Sequence, residues 1–295
     1  MARICMQILV AGLVLVGIGA FGGCDAREIA VRMLELHRPK GFMIETVHNA
    51  GRDRNYGLFV PLNYKPDIEY PVIVFLHGFG EGGNTAKANL RVGLAPIVAE
   101  RAWNFPFICI FPQSPDGHWD EDSKAASDVM ACLADVSRKY SVDANRVYLT
   151  GLSTGGYGTW AVGARHREVF AALVPMGTSK NPIEFAERLT RMPIRSYHNH
   201  NDPIAPIWYD SSMCDRINML GGRAEMFKTD GGGHNCWATA YGQMDLFKWL
   251  LQQKRRGAER PKSQPRPGFT ATSVEPPPSI SSPTPTPASM PMTPY

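Results

Sequence analysis

The sequence predicts an α/β fold, a mostly parallel sheet with helices on both faces, and three observations predict it. From Arg52 onward, strand-like and helix-like segments alternate along the chain, the pattern of crossover-connected parallel strands. The run Pro71-Val72-Ile73-Val74-Phe75-Leu76 is apolar throughout, as a strand covered on both faces must be. Finally, Gly151-Leu152-Ser153-Thr154-Gly155 stands where a strand-like run gives way to a glycine-rich, helix-compatible segment. A serine with glycines at two removes on either side fits a tight strand-to-helix turn that lifts the side chain clear of the sheet.

Taken in order, strands are expected at Tyr56 to Val60, Pro71 to Leu76, Phe107 to Phe111 and Arg146 to Thr150. Three more follow at Ala171 to Pro175, Ile194 to His198 and Arg223 to Lys228. Helical stretches are expected at about Ala86 to Arg101, Ser123 to Tyr140, Pro182 to Leu189 and Trp208 to Leu220, with a last amphipathic helix at about Ala238 to Gln252. The chain has 295 residues and 44% hydrophobic content, enough for one large core.

Both ends differ from this body. Arg3 precedes an apolar run from Ile8 to Phe21, too short for a membrane span of about 20 residues and suited to a signal segment covering residues 1–23. The run ends in Phe21-Gly22-Gly23-Cys24, which resembles a bacterial lipobox, with Phe21 standing where Leu is usual. That resemblance implies cleavage before Cys24 and lipidation of its sulfur, hence a membrane attachment through lipid. Ordinary secretion and an uncleaved anchor are the alternatives, and all three export the chain. The folded domain is expected over residues 25–253. Residues 254–295 form a basic, then Pro/Ser/Thr-rich tail, expected to be a spacer rather than a domain.

Charge excludes one class of partner. The chain carries a formal net charge of +4, yet residues 25–252 hold 24 Lys+Arg against 25 Asp+Glu. The excess lies in Arg3 and in Lys254, Arg255, Arg256, Arg260, Lys262 and Arg266. A nucleic-acid binder would carry its positive charge on the folded body, so none is expected here. Neither Cys-x-x-Cys nor His-Glu-x-x-His occurs, so no metal or other cofactor is expected. Of the body's cysteines, Cys109 and Cys132 read as buried thiols, while Cys214 and Cys236 flank candidate site loops, where an oxidising compartment would permit a disulfide.

The remaining motifs make a serine nucleophile chemically sensible. Such chemistry needs a base, an acid orienting it and donors for a developing oxyanion, each at the carboxyl end of a strand. Asp202, in His198-Asn199-His200-Asn201-Asp202-Pro203, is the candidate acid; Asp210, Asp215 and Asp230 are its rivals. His234, in Gly231-Gly232-Gly233-His234-Asn235, is the candidate base. Leu76-His77-Gly78-Phe79-Gly80-Glu81-Gly82-Gly83 follows the buried strand, and the amides of Phe79 and Thr154 are the expected oxyanion donors. His77 reads as structural, closing that loop. A phosphate loop is excluded, since neither Gly-x-Gly-x-x-Gly nor a Gly-Lys-Ser/Thr ending is present. Gln113 to Trp119 follows a strand end; within it Trp119, together with Trp237, is expected either to stack on a substrate's acyl or sugar group or to pack in the rim.

On these residues the chain resembles the α/β-hydrolase superfamily. The stretch Val142-Asp143-Ala144-Asn145-Arg146-Val147-Tyr148-Leu149-Thr150-Gly151-Leu152-Ser153-Thr154-Gly155-Gly156-Tyr157-Gly158-Thr159-Trp160 looks like its esterase branch, as do Gly233-His234-Asn235 and His77-Gly78-Phe79-Gly80-Glu81. That branch includes feruloyl and acetylxylan esterases, polyhydroxybutyrate depolymerases and bacterial "predicted peptidases" related to prolyl oligopeptidase. The resemblance covers about Asn55 to Leu251, with Thr154 where Met or Gln is common. It implies a Ser153-His234-Asp202 triad acting on a carboxylic ester. Fewer than twenty residues separate the strands near Pro175 and Ile194, where relatives often insert a cap, so an open site admitting an extracellular polymer is expected. A peptidase with the same machinery, or an inert binding lipoprotein, is the alternative.

Overall fold

A computed structural model describes residues 39–255. The signal segment, Cys24 and the tail from residue 256 onward lie outside the described residues. Eight strands form one sheet: β1 (Gly41–Asn49), β2 (Arg52–Val60), β3 (Tyr70–Leu76), β4 (Ile108–Phe111), β5 (Val142–Leu152), β6 (Ala172–Met176), β7 (Ile194–Asn199) and β8 (Ala224–Thr229). Their order is β1-β2-β4-β3-β5-β6-β7-β8. Strands β3 to β8 run parallel to their neighbours, while β2 is antiparallel to both β1 and β4.

Alternation along the strands divides the core in two. One face, with Val72, Val74, Leu76 and Leu149, is covered by α2 (Lys124–Lys139), α3 (Thr154–Arg165) and α4 (Trp208–Met219). The other, with Ile73, Phe75, Phe111 and Tyr148, is covered by α1 (Leu94–Glu100), α5 (Trp237–Gly242) and α6 (Met244–Gln252). Helix α3 leaves the elbow through the middle of the fold, and every residue from Gly155 to Ala164 is buried. Helix α2 starts where the Ser123 side chain accepts the Ala126 amide at 3.0 Å, satisfying one of the donors a helix start leaves free.

Four differences from the sequence-based expectation have local causes. The edge hairpin β1-β2 begins well before Tyr56; its turn at Ala50 and Gly51 has φ of 49° and 76°, the two positive angles of a tight primed turn. The helix expected from Ala86 shrinks to α1, because Ala86 (φ 57°) and Gly93 (φ 59°) are both left-handed and cannot sit within a helix. Residues Ile183–Leu189 form a 3-10 helix rather than an α-helix. The last helix breaks at Gln243, whose extended backbone (ψ 121°) separates α5 from α6. Cys214 and Cys236 are both free and buried, and they belong to the cores on opposite faces of the sheet.

The centre of the fold has no room for side chains at the elbow. A Cβ on Gly155 would lie 2.2 Å from the Leu76 carbonyl oxygen and 2.5 Å from that of His77; one on Gly151 would lie 2.3 Å from the Gly155 oxygen. These obstacles are backbone atoms at the end of β3, just beyond it and in the first turn of α3, and they cannot swing aside as a side chain could. Gly155→Ala is therefore expected to destabilise the fold by about 3 kcal/mol or more, the upper range for overpacking. Gly80→Ala, where nothing lies within 4 Å, should stay within about 0.5 kcal/mol. Urea unfolding of both variants checks this, and equal stability would mean that the elbow is not tightly packed.

Candidate active site

Ser153 is the first residue beyond β5 and the N-cap of α3, with φ 56° and ψ −116°. A non-glycine residue at positive φ costs on the order of 1–3 kcal/mol and persists only where its surroundings impose it. Here they do so directly: the Ser153 amide donates to the Met176 carbonyl of β6 at 2.9 Å, and its own carbonyl accepts from the Ser179 and Tyr157 amides. The serine is half-buried at the carboxyl end of the parallel strands, the end where open α/β sheets bind ligands.

The predicted acid and base meet. His234 Nδ1 lies 2.5 Å from Asp202 Oδ2, although 32 residues separate them. Asp202 Oδ1 accepts the amides of Ile204 (2.8 Å) and Ala205 (3.0 Å), so Pro203 leads the chain round its own carboxylate. Burial opposes ionisation of this carboxyl, but the His234 hydrogen bond and the two amides outweigh it and hold it below the usual carboxylate range. Of the rivals, Asp210 is buried behind the site, and Asp215 lies in α4 and Asp230 after β8.

His234 Nε2, the nitrogen facing away from Asp202, is buried and has no hydrogen-bond partner. The ring sits over Gly177, where a Cβ would fall 3.4 Å from His234 Cε1, and Gly177 directly follows the residue that receives the Ser153 amide. Serine and imidazole are thus brought to neighbouring positions across the β6 end. Hydrogen bonds of this kind are often long without a bound substrate and tighten with it.

The loop after β3 lies against the serine: a Cβ on Gly78 would be 3.4 Å from Ser153 Cβ. Phe79 opens a 3-10 turn and Thr154 opens α3, and the first amides of a helical turn have no acceptor within it. The loop is held by His77, whose Nδ1 donates to the Gly78 carbonyl at 2.6 Å while Nε2 accepts the Ser114 amide at 3.0 Å. Burial lowers the His77 pKa to about 4, keeping the ring in this neutral form. Gln113 reinforces the contact by donating to the Glu81 carbonyl and accepting the Ala86 amide.

One substrate-binding expectation is corrected. Trp119 is 1% exposed, its Nε1 donates to the His77 carbonyl at 2.9 Å, and its Cβ occupies the space a side chain on Gly158 would need. It props the loop from behind and offers no surface to a ligand. Trp237, by contrast, is half-buried and meets His234 edge to face at 5.2 Å. Exposed apolar side chains to which the sequence assigned no binding role are Phe79 (63%), of which only the amide was expected to act, Ile204 (69%) and Trp208 (50%). Also missed was Asn199, which donates from Nδ2 to the Gly233 carbonyl at 2.9 Å and anchors the histidine loop; a polar residue ending an otherwise buried strand was its signal.

Residues 116–190 match the prolyl oligopeptidase family. A bifunctional acetylxylan esterase/xylanase of Neocallimastix patriciarum is 25% identical over 159 residues, which cover 52% of this chain but only 22% of that protein. Among solved structures, a thermostable esterase is 28% identical with a TM-score of 0.65, over 72% of this chain and 63% of that one. Est1E from Butyrivibrio proteoclasticus, with ferulic acid bound, shares the fold at 14% identity and a TM-score of 0.53, over 71% of this chain and 98% of that one. Sheet order, elbow and relatives agree on the α/β-hydrolase fold, and the chain is similar to esterases and peptidases built on it.

Proposed function

We propose that the protein hydrolyses carboxylic esters through Ser153, His234 and Asp202. The observation that carries the reading is the Asp202–His234 pair at 2.5 Å beside a serine held at positive φ. In the proposed reaction Ser153 Oγ attacks the ester carbonyl carbon while His234 Nε2 takes its proton. The carbonyl oxygen becomes an oxyanion and accepts hydrogen bonds from the Phe79 and Thr154 amides, each such donor contributing roughly 3 kcal/mol to transition-state stabilisation. Collapse breaks the bond to the alcohol, which leaves with the proton from His234. A water molecule then repeats the sequence on the acyl-enzyme and releases the acid.

An extracellular polymer ester, whether acetyl or feruloyl groups on a polysaccharide or a polyester, is the substrate class we favour. Between β6 and β7 the chain has only residues 177–193, used for a loop and the 3-10 helix, so no cap is inserted there. The exposed Phe79, Ile204 and Trp208, with Trp237 beside the imidazole, suit an apolar or aromatic group. The acetylxylan esterase relative and the ferulic acid complex point the same way. Peptide hydrolysis is the second reading, favoured by the prolyl oligopeptidase match across the elbow. We place the enzyme outside the cytoplasm, tethered through lipid on Cys24, on the strength of the apolar run and the small residues before that cysteine.

With p-nitrophenyl acetate, Ser153→Ala and His234→Ala should each lose on the order of 10⁵-fold or more in kcat while keeping the wild-type unfolding midpoint. Activity retained in both would refute the triad, and cleavage of peptide nitroanilides faster than any ester would favour the peptidase. Asp202→Asn should lose roughly 10³–10⁴-fold, because an amide facing His234 Nδ1 favours the wrong tautomer; full activity would move the acid elsewhere. In bacterial cells, radiolabelled palmitate should enter the protein and be absent from Cys24→Ala. Equal labelling of both would exclude the lipid anchor.

A further inference from the structure

Behind Asp202 lies a second buried pair that the triad does not use. His198, near the end of β7, has its Nδ1 2.7 Å from Asp210 Oδ2 on α4. Its Nε2 lies 3.0 Å from the Ala205 carbonyl and 3.2 Å from Asp202 Oδ2. The side chains of His198, Asp202 and Asp210 are all fully buried.

Every polar atom of this cluster faces a partner. Asp210 Oδ1 accepts from Trp160 Nε1 (2.9 Å) and Thr178 Oγ1 (2.6 Å), and Oδ2 accepts from the Thr178 amide (3.0 Å) and His198. Asp202 Oδ1 accepts two amides, and Oδ2 faces His234 and His198. A carboxylate has about four acceptor sites; those of Asp210 are turned toward an indole, a hydroxyl, an amide and His198, and those of Asp202 toward two amides and two imidazoles. Both nitrogens of His198 face oxygens, an arrangement that a doubly protonated ring satisfies with both carboxylates ionised. A neutral ring would leave one nitrogen lone pair against a carboxylate or carbonyl oxygen and two anions buried without a counter-charge.

We propose that His198 is a buried imidazolium and a positioning residue for the triad, holding Asp202 in place and offsetting part of its charge so as to set the basicity of His234. The inference rests on the triad assignment above. Asp202 has one oxygen shared between two imidazoles, and the His198 side fixes the direction from which it receives His234. The cluster also reaches the nucleophile's own helix, because Trp160 lies in α3, which starts at Ser153.

The charged and titratable groups facing His198 are few. Asp210 comes from α4, Asp202 from the loop after β7, and the thiols of Cys214 and Cys236 lie near the two carboxylates. Lys228 is its register partner on β8 but is exposed, and the paired part of β6 carries no titratable side chain. Burial works against the charge on His198, but the bond to Asp210 and the attraction of both carboxylates outweigh it and raise its pKa. A raised histidine pKa contributes stability that is complete below about pH 6.5, the unfolded value, and is lost as pH rises through the folded one.

His198→Gln keeps a polar side chain of similar reach without the cation. It should lower kcat for p-nitrophenyl acetate about ten- to hundredfold with little change in KM, and move the acidic limb of the kcat/KM profile to higher pH by about one unit. With the cation gone, the full charge of Asp202 holds the proton on His234 more firmly. A merely structural role predicts the reverse, since a displaced Asp202 would release its hold on that proton; a limb that is unmoved or lowered therefore overturns the proposal. Should this variant fail to fold, the full-length Ser153→Ala protein still decides the matter by ¹⁵N NMR of its histidine side chains at pH 8. Two protonated ring nitrogens on one histidine other than His234 are expected, and only neutral rings would overturn the proposal. Because this readout needs no turnover, it stays separate from failure of the triad itself, which would show as activity persisting in Ser153→Ala.

Discussion

The fold depends on the close approach of four backbone segments at the elbow. Strands β3, β5 and β6 and the first turn of α3 converge there, with Gly151, Gly155 and Gly156 each facing a carbonyl at 2.2 to 2.5 Å from a virtual Cβ. Nothing larger than hydrogen fits, and the chain must reverse from strand to helix within one residue. That residue is Ser153, and its left-handed backbone is the geometric consequence. The strain of roughly 1–3 kcal/mol is sustained because the Met176 carbonyl and the end of β3 leave no relaxed alternative. Packing and candidate chemistry are therefore one constraint: the turn that lets α3 cross the sheet also lifts the serine oxygen out of it.

Around this fixed point the other groups arrive on loops, each held by a different polar device. His77 and Gln113 tie the loop after β3 to the segment after β4, with Trp119 filling the space beneath. Asn199 and Thr229 hydrogen-bond to each other, and Asn199 goes on to hold the Gly233 carbonyl just before His234. Asp202 is wrapped by its own turn. Polar contacts run through each of these loops, with buried Trp119 adding apolar support to the first, in a site that stays partly open to solvent.

The sequence made the site more legible than its supports. Ser153, Asp202 and His234 each stand in a glycine- or proline-marked loop after an apolar strand, and that local signal survives without knowledge of tertiary contacts. The edge hairpin β1-β2 was half missed because Gly41–Asn49 alternates between solvent and partial burial and lacks the dense apolar run of a central strand. Sequence could not decide between the two roles of Trp119, because an aromatic in a loop after a strand looks the same whether it faces a ligand or fills a hole, and the hole is made by Gly158, 39 residues away. His198 was passed over as a neighbour of the acid. Its importance lies in contacts with Asp210 and Ala205, and Asp210 comes from a helix that reads in sequence as ordinary.

Charge connects these parts. Under the proposed reading Asp202 and Asp210 bring two negative charges into the interior and His198 returns one positive charge. One net negative charge then remains in the cluster, presented to His234 at 2.5 Å. This is the balance a general base of this kind requires. Two uncompensated carboxylates would hold a proton on His234 too tightly for it to accept one from Ser153, whereas full neutralisation would leave nothing to stabilise the imidazolium once it had formed. The same cluster is bonded to Trp160 in the helix capped by Ser153, so in the proposed reaction the group that gives up the proton and the group that receives it rest on one hydrogen-bonded frame. A displacement of α3 relative to α4 would disturb both ends of the proposed proton transfer together, which makes the rigidity of that largely buried helix part of the proposed chemistry as well as of the fold.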